Sequence, residues 1–118
     1  MGLDMYAYTA AKEQADYETG QREIAYWRKH PNLHGWMERL AKSKNVEYGT
    51  FNGVELELTW EDLDKLERDI NNNNLPNTQG FFFGENSDEY YQAQDLEFIK
   101  KARAELFLGL KVFYNSSW

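Results

Sequence analysis

The chain has no cysteine. Disulfides, thiol nucleophiles and cysteine-ligated zinc are therefore excluded, and the composition suits a reducing cytosol. No apolar run is long enough to span a bilayer. The opening Met1-Gly2-Leu3-Asp4-Met5 has neither a basic region nor an apolar signal core. Tyr6 stands where N-myristoylation requires Ser or Thr. The phosphate loop, G-x-G-x-x-G, H-E-x-x-H and G-x-S-x-G are all missing. Ser43, Ser87, Ser116 and Ser117 have no histidine neighbour in sequence, so no Ser-His-Asp arrangement is supported.

Aromatic residues are abundant: four Trp, eight Tyr and seven Phe in 118 residues. That exceeds the needs of a small core, so some are expected to face a cleft or a partner, and a homodimer is one way to cover them. Size scaling gives a folded surface of roughly 6,700 Å² against about 20,000 Å² unfolded, enough for one core and one domain over residues 1–118. The net charge of −7 is uneven. Residues 21–44 hold Arg22, Arg28, Lys29, Arg39, Lys42 and Lys44 against Glu23 and Glu38, a net of +4. A basic island in an acidic body suits one phosphate or one acidic groove, whereas the acidic remainder repels nucleic acid, so direct nucleic-acid binding is not expected. Residues 55–69 hold seven acids against Lys65 and Arg68.

Periodicity predicts an α+β fold, a mostly antiparallel sheet covered by about three helices on one face. Residues 3–8 and 23–28 alternate as strands. Pro31 opens a helix with Asn32 as an alternative cap, and Leu33, Trp36, Met37 and Leu40 recur at helical spacing. Residues 46–51 and 54–58 flank Asn52-Gly53, the strongest two-residue hairpin signal, and predict a hairpin. Thr59 with Asp62 predicts a capped helix carrying Leu63, Leu66 and Ile70, ended by the asparagines 71–74. Residues 75–85 read as a loop and 87–107 as the longest helix. Gly109 stops it, and 112–114 form a last strand.

Two constellations could bind a ligand. Gly80-Phe81-Phe82-Phe83-Gly84 places three aromatics between two flexible residues, a costly choice for an exposed loop and a candidate binding wall. Tyr26, Trp27 and Arg28, followed by His34 and Trp36, could clamp an anionic planar molecule: rings stack, and arginine pairs phosphate bidentately. The two segments are expected to share one cleft, with Arg28 and His34 turned toward it. The acids at Asp88 and Glu89 would then put a carboxylate at the rim. His34 is also the most suitable proton handler of the chain. The spacing of Asp88 and Glu89 completes no metal site, and no cofactor is expected.

These segments resemble a family of small uncharacterised bacteriophage and prophage proteins. The likeness lies in Met1-Gly2-Leu3-Asp4-Met5-Tyr6, Tyr26-Trp27-Arg28-Lys29, His34 with Trp36, Leu75-Pro76 leading into the 80–84 loop, and Asp88-Glu89-Tyr90-Tyr91, and it covers nearly the whole chain. Asn77 stands between Leu75-Pro76 and Thr78, where the family usually has Thr directly, and Met37 stands where it has an aromatic. The resemblance implies an accessory protein acting in the cytoplasm of a host bacterium and supplies no reaction. The candidate ligand-binding set is Tyr26, Trp27, Arg28, His34, Trp36, Thr78, Phe81, Phe82, Phe83, Glu89 and Tyr90. The expected function is non-enzymatic capture of a small anionic, nucleotide-like host molecule, in counter-defence or host takeover. One alternative is a protein–protein inhibitor of a host factor acting through the acidic face of residues 55–69. A further alternative is a small hydrolase using His34.

Overall fold

The computed structural model describes residues 3–10, 22–28, 30–75 and 88–117, with the backbone alone at 88–90. The elements are β1 (Asp4–Ala10), β2 (Arg22–Arg28), α1 (Pro31–Ser43), β3 (Leu56–Leu58), α2 (Trp60–Asn71), α3 (Asp88–Phe107) and β4 (Lys111–Ser117). They form the expected α+β architecture. The four strands lie in the order β2-β1-β4-β3, every neighbouring pair antiparallel.

Period-two alternation decides the two faces of the sheet. On β1, Met5, Ala7 and Thr9 are buried, while Tyr6 and Tyr8 point the other way and stay half-exposed. On β4, Val112, Tyr114 and Ser116 are buried between outward Phe113 and Asn115. The covered face meets the three helices in one apolar cluster, which includes Leu33, Met37, Leu63, Leu66, Phe98 and Ile99. The helical stripes read from sequence are all there: Leu33, Trp36, Met37 and Leu40 on α1 and Leu63, Leu66 and Ile70 on α2 are buried. Thr59 and Asp62 form a reciprocal capping box at α2. Asn73, with φ of 56°, takes the left-handed turn that follows α2.

Four details differ from the sequence expectation. β4 runs over Lys111–Ser117 rather than 112–114, because it pairs along that whole length with β1. β1 runs on through Thr9 and Ala10, because both are buried and pair with Val112 and Lys111. Asn32 is not the cap of α1. His30 takes that position without a side-chain cap bond, since its ring is engaged elsewhere in the core. The hairpin around Asn52-Gly53 does not form. Residues 46–51 contain no strand, and Leu56–Leu58 pairs with β4 instead. Phe51 is drawn into the core against Tyr114, and the Gly53 amide donates to the Ser116 carbonyl at 2.7 Å. The turn is thus spent on reaching β4 rather than on folding back.

Candidate functional site

Helix α3 is fastened to β2 by polar side chains at helical spacing. Tyr91 donates its hydroxyl to the Arg28 carbonyl, and Gln94 donates its amide to the Tyr26 carbonyl. Asp95, one residue on, is fully buried. One of its oxygens accepts from Trp27 Nε1 at 2.8 Å, and the other lies 2.9 Å from His30 Nε2. The Tyr91 ring stacks on His30 at 4.7 Å. A buried carboxylate needs such donors, because desolvation without them is expensive. Two carbonyls of β2 are occupied by the same helix, which blunts that end of the sheet edge against further strand pairing.

The second histidine is closed in as well. His34 is 2% exposed, and its Nδ1 lies 2.7 Å from the Tyr114 hydroxyl. Burial pushes its pKa down to about 4, against a smaller upward pull from a hydrogen bond to the Phe51 backbone. Burial likewise raises the Tyr114 hydroxyl well above the usual tyrosine range, with the Ser116 hydroxyl pulling the other way. Two neutral groups therefore share one hydrogen bond in a sealed place. That geometry makes a structural pair and gives a proton handler no route to a substrate.

The cleft expected to join Arg28 and His34 is corrected by the strand alternation. Trp27 points into the core, where it packs edge-on against Phe98 at 5.1 Å. Arg28, the next residue, leaves the sheet on the opposite side, as does Tyr26, whose hydroxyl donates to Asp4 at 2.6 Å. That bond holds the Tyr26 hydroxyl above its ordinary pKa. His34 lies on the covered side, so the sheet separates it from Arg28. Among the described side chains, the carboxylate that meets a histidine is Asp95, and the histidine is His30. Thr78, Phe81, Phe82 and Phe83 lie outside the described residues, as do the side chains of Glu89 and Tyr90.

Of the described members of the expected set, Trp36 lines a groove with unused charge. That groove, of about 370 Å³, runs between α1 and α2. Trp36, Arg39 and Ser43 line it from one stripe of α1, and Lys65, Arg68 and Asp69 from one stripe of α2. Asn74 lines it as well. The Trp36 indole donates Nε1–H to Asp69 at 2.8 Å, which fixes the floor and engages the one acid. Arg39, Lys65 and Arg68 form no ion pair or side-chain hydrogen bond with a described residue. The groove thus presents three unpaired cations against one carboxylate, a net of +2, in a protein of net charge −7.

The acids tell the opposite story. Of the seven between residues 55 and 69, Asp62 binds Lys44, Asp64 and Glu67 bind Arg103, Asp69 binds Trp36, and Glu55 accepts from Tyr8. Five are engaged within the molecule. Among the described residues no group of three or more His, Cys, Asp or Glu could hold a metal ion, and no helix is long and apolar enough to cross a membrane. No protein-family model, curated protein or solved structure matches the chain.

Proposed function

We propose that the protein is a non-enzymatic binder of a small anion, with the groove between α1 and α2 as its site. The carrying observation is the imbalance of Arg39, Lys65 and Arg68 against a single acid already held by Trp36. Unpaired cations brought together by two helices repel one another, and an anion relieves that repulsion. A phosphate group suits them best, because each arginine can give it two parallel donors while lysine supplies a point charge. The volume of about 370 Å³ falls within the range of small-molecule sites and accommodates a nucleotide-sized ligand. Asn74 adds a neutral donor for the remainder of such a molecule, and the Ser43 hydroxyl, which donates to the Leu40 carbonyl, adds an acceptor. In the setting implied by the resemblance to phage proteins, the ligand would be a host nucleotide or signal, and the protein would act by sequestering it.

The acidic-face inhibitor is less favoured because its carboxylates are largely consumed by internal contacts. The hydrolase reading loses support with the enclosure of His34. Isothermal titration with adenosine monophosphate and with inorganic phosphate tests the main reading. Saturable binding is expected, weakened by added salt. Arg68→Ala should weaken it about tenfold or more, the effect of losing one hydrogen bond to a charged group. Binding that is absent, or that ignores Arg68→Ala and Lys65→Ala, would overturn it.

A further inference from the structure

The face of the sheet turned away from the helices carries a second groove, of about 480 Å³, whose charges are disposed in the reverse sense. Tyr6 and Tyr8, two residues apart on β1, line it with their rings. Both rings are held in place. Tyr6 lies 5.3 Å from the Tyr26 ring, and Tyr8 stacks on Phe113 at 5.6 Å with 25° between the planes. The Tyr8 hydroxyl donates to Glu55. Two charged residues border the groove. Arg22 reaches back to Glu105 on α3 at 2.5 Å, so its charge is spent. Glu23 sits opposite Tyr8 in the β1–β2 ladder, is exposed, and has no partner among the described residues. Asn115, opposite Tyr6 on β4, offers an amide on the far side.

An unpaired carboxylate beside fixed aromatic faces is complementary to an organic cation. The negative ring face attracts the cation, and the carboxylate gives it a charged hydrogen-bond acceptor. An anion would be repelled by both. We propose that this groove binds an organic cation with a guanidinium or ammonium head, recognised by Glu23 and by the rings of Tyr6 and Tyr8. The site lies on the other side of the sheet from the helices and does not depend on the anion groove. A free amine and the arginine side chain of a peptide share this head-group chemistry.

Nuclear magnetic resonance titration of the isotope-labelled protein tests the proposal, with agmatine in one arm and the peptide acetyl-Gly-Arg-Gly-amide in the other. Saturable shifts of the amides of Tyr6, Tyr8 and Glu23 are expected in at least one arm, and the responding arm tells a free small cation from a peptide side chain. Glu23→Gln should weaken binding about tenfold, as loss of a charge-assisted bond does. Tyr8→Leu should weaken it through loss of the ring, while Arg68→Ala should leave it unchanged. The spectra of the variants report at once whether each still folds. The proposal fails if neither probe saturates, if Glu23→Gln binds both probes as tightly as the parent, or if phosphate shifts the same amides as strongly as the cations do.

Discussion

Helix α1 borders two regions that treat polar groups in opposite ways. On its inner side, His30 just before the helix and His34 within it sit in a core where each histidine ring has a partner, Asp95 or Tyr114. On its outer side, Arg39 faces Lys65 and Arg68 across a groove where none of the three is paired with a described residue. The lesson is about where polar residues carry energy. A buried hydrogen bond is worth little when made but expensive when one partner is removed. An exposed cation is the reverse: its removal barely touches the fold, yet it can decide what binds. Substitutions in the two regions should therefore separate cleanly into those that change stability and those that change affinity.

The largest effect is expected at Asp95. Asp95→Ala would leave the Trp27 Nε1–H and a ring nitrogen of His30 without their acceptor inside the core, and should cost about 3–5 kcal/mol, the range for breaking a buried charged contact. Chemical denaturation monitored by tryptophan fluorescence would measure it, since Trp27 reports on the same seam. A loss below about 1 kcal/mol would mean that the seam readily repacks and that the interior is not the rigid partner in the comparison.

Trp36 belongs to both regions and sharpens the boundary between them. The residue is 8% exposed, and its Nε1–H holds Asp69 in the groove. Trp36→Ala should cost about 3 kcal/mol, the low end for emptying a large aromatic site because the groove side can relax. Trp36→Phe should keep most of that stability while releasing Asp69, whose freed carboxylate would then compete with an anion for Arg39, Lys65 and Arg68. The expected reading is near-parental melting with weakened anion binding.

The histidines give a test by pH. The unfolded chain protonates His34 below about pH 6.5, and the folded chain only below about pH 4. Stability should therefore fall as pH falls through that window and level off beneath it, by about 3 kcal/mol for a shift of this size. His34→Leu removes this contribution, so the difference in unfolding free energy between parent and variant should itself slope between pH 6.5 and 4. A difference that stays flat would show that His34 is open to solvent and belongs with the outer region.

What could be read from sequence divides along the same line. The stripes of Leu33, Trp36, Met37 and Leu40 and of Leu63, Leu66 and Ile70 follow from helical period alone, so the helices and their buried faces were accessible. The His30–Asp95 contact was not, since it joins positions 65 residues apart. A trace of it lay in the placement of Asp95 amid Tyr91, Phe98, Ile99 and Ala102, an acid on an apolar helical face. The expected cleft grouped Arg28 with His34 because they are near in sequence, but a strand turns neighbouring side chains to opposite faces. The α1–α2 groove obeys helical spacing instead: Trp36, Arg39 and Ser43 on one helix, and Lys65, Arg68 and Asp69 on the other. Each half was visible in the sequence. Their juxtaposition required the packing of α1 against α2.

The smallest effect on stability, and the sharpest on binding, is expected in that groove. Arg39→Ala, Lys65→Ala and Arg68→Ala each remove a cation that pairs with no described residue. Surface changes of this kind usually stay within about 0.5 kcal/mol. Relief of mutual repulsion among the three could even raise stability slightly, and most at low salt, where screening is weakest. The same substitutions should lower affinity for a phosphate-bearing anion, and any pair of them should lower it further than either alone. Thermal melting at low and at high salt, run beside the titrations, reads both quantities on one set of proteins. If the three variants instead melted several degrees below the parent at every salt concentration, the cations would be holding the helices together through their side-chain stems. The groove would then be structural like the interior, and the contrast between the two sides of α1 would disappear.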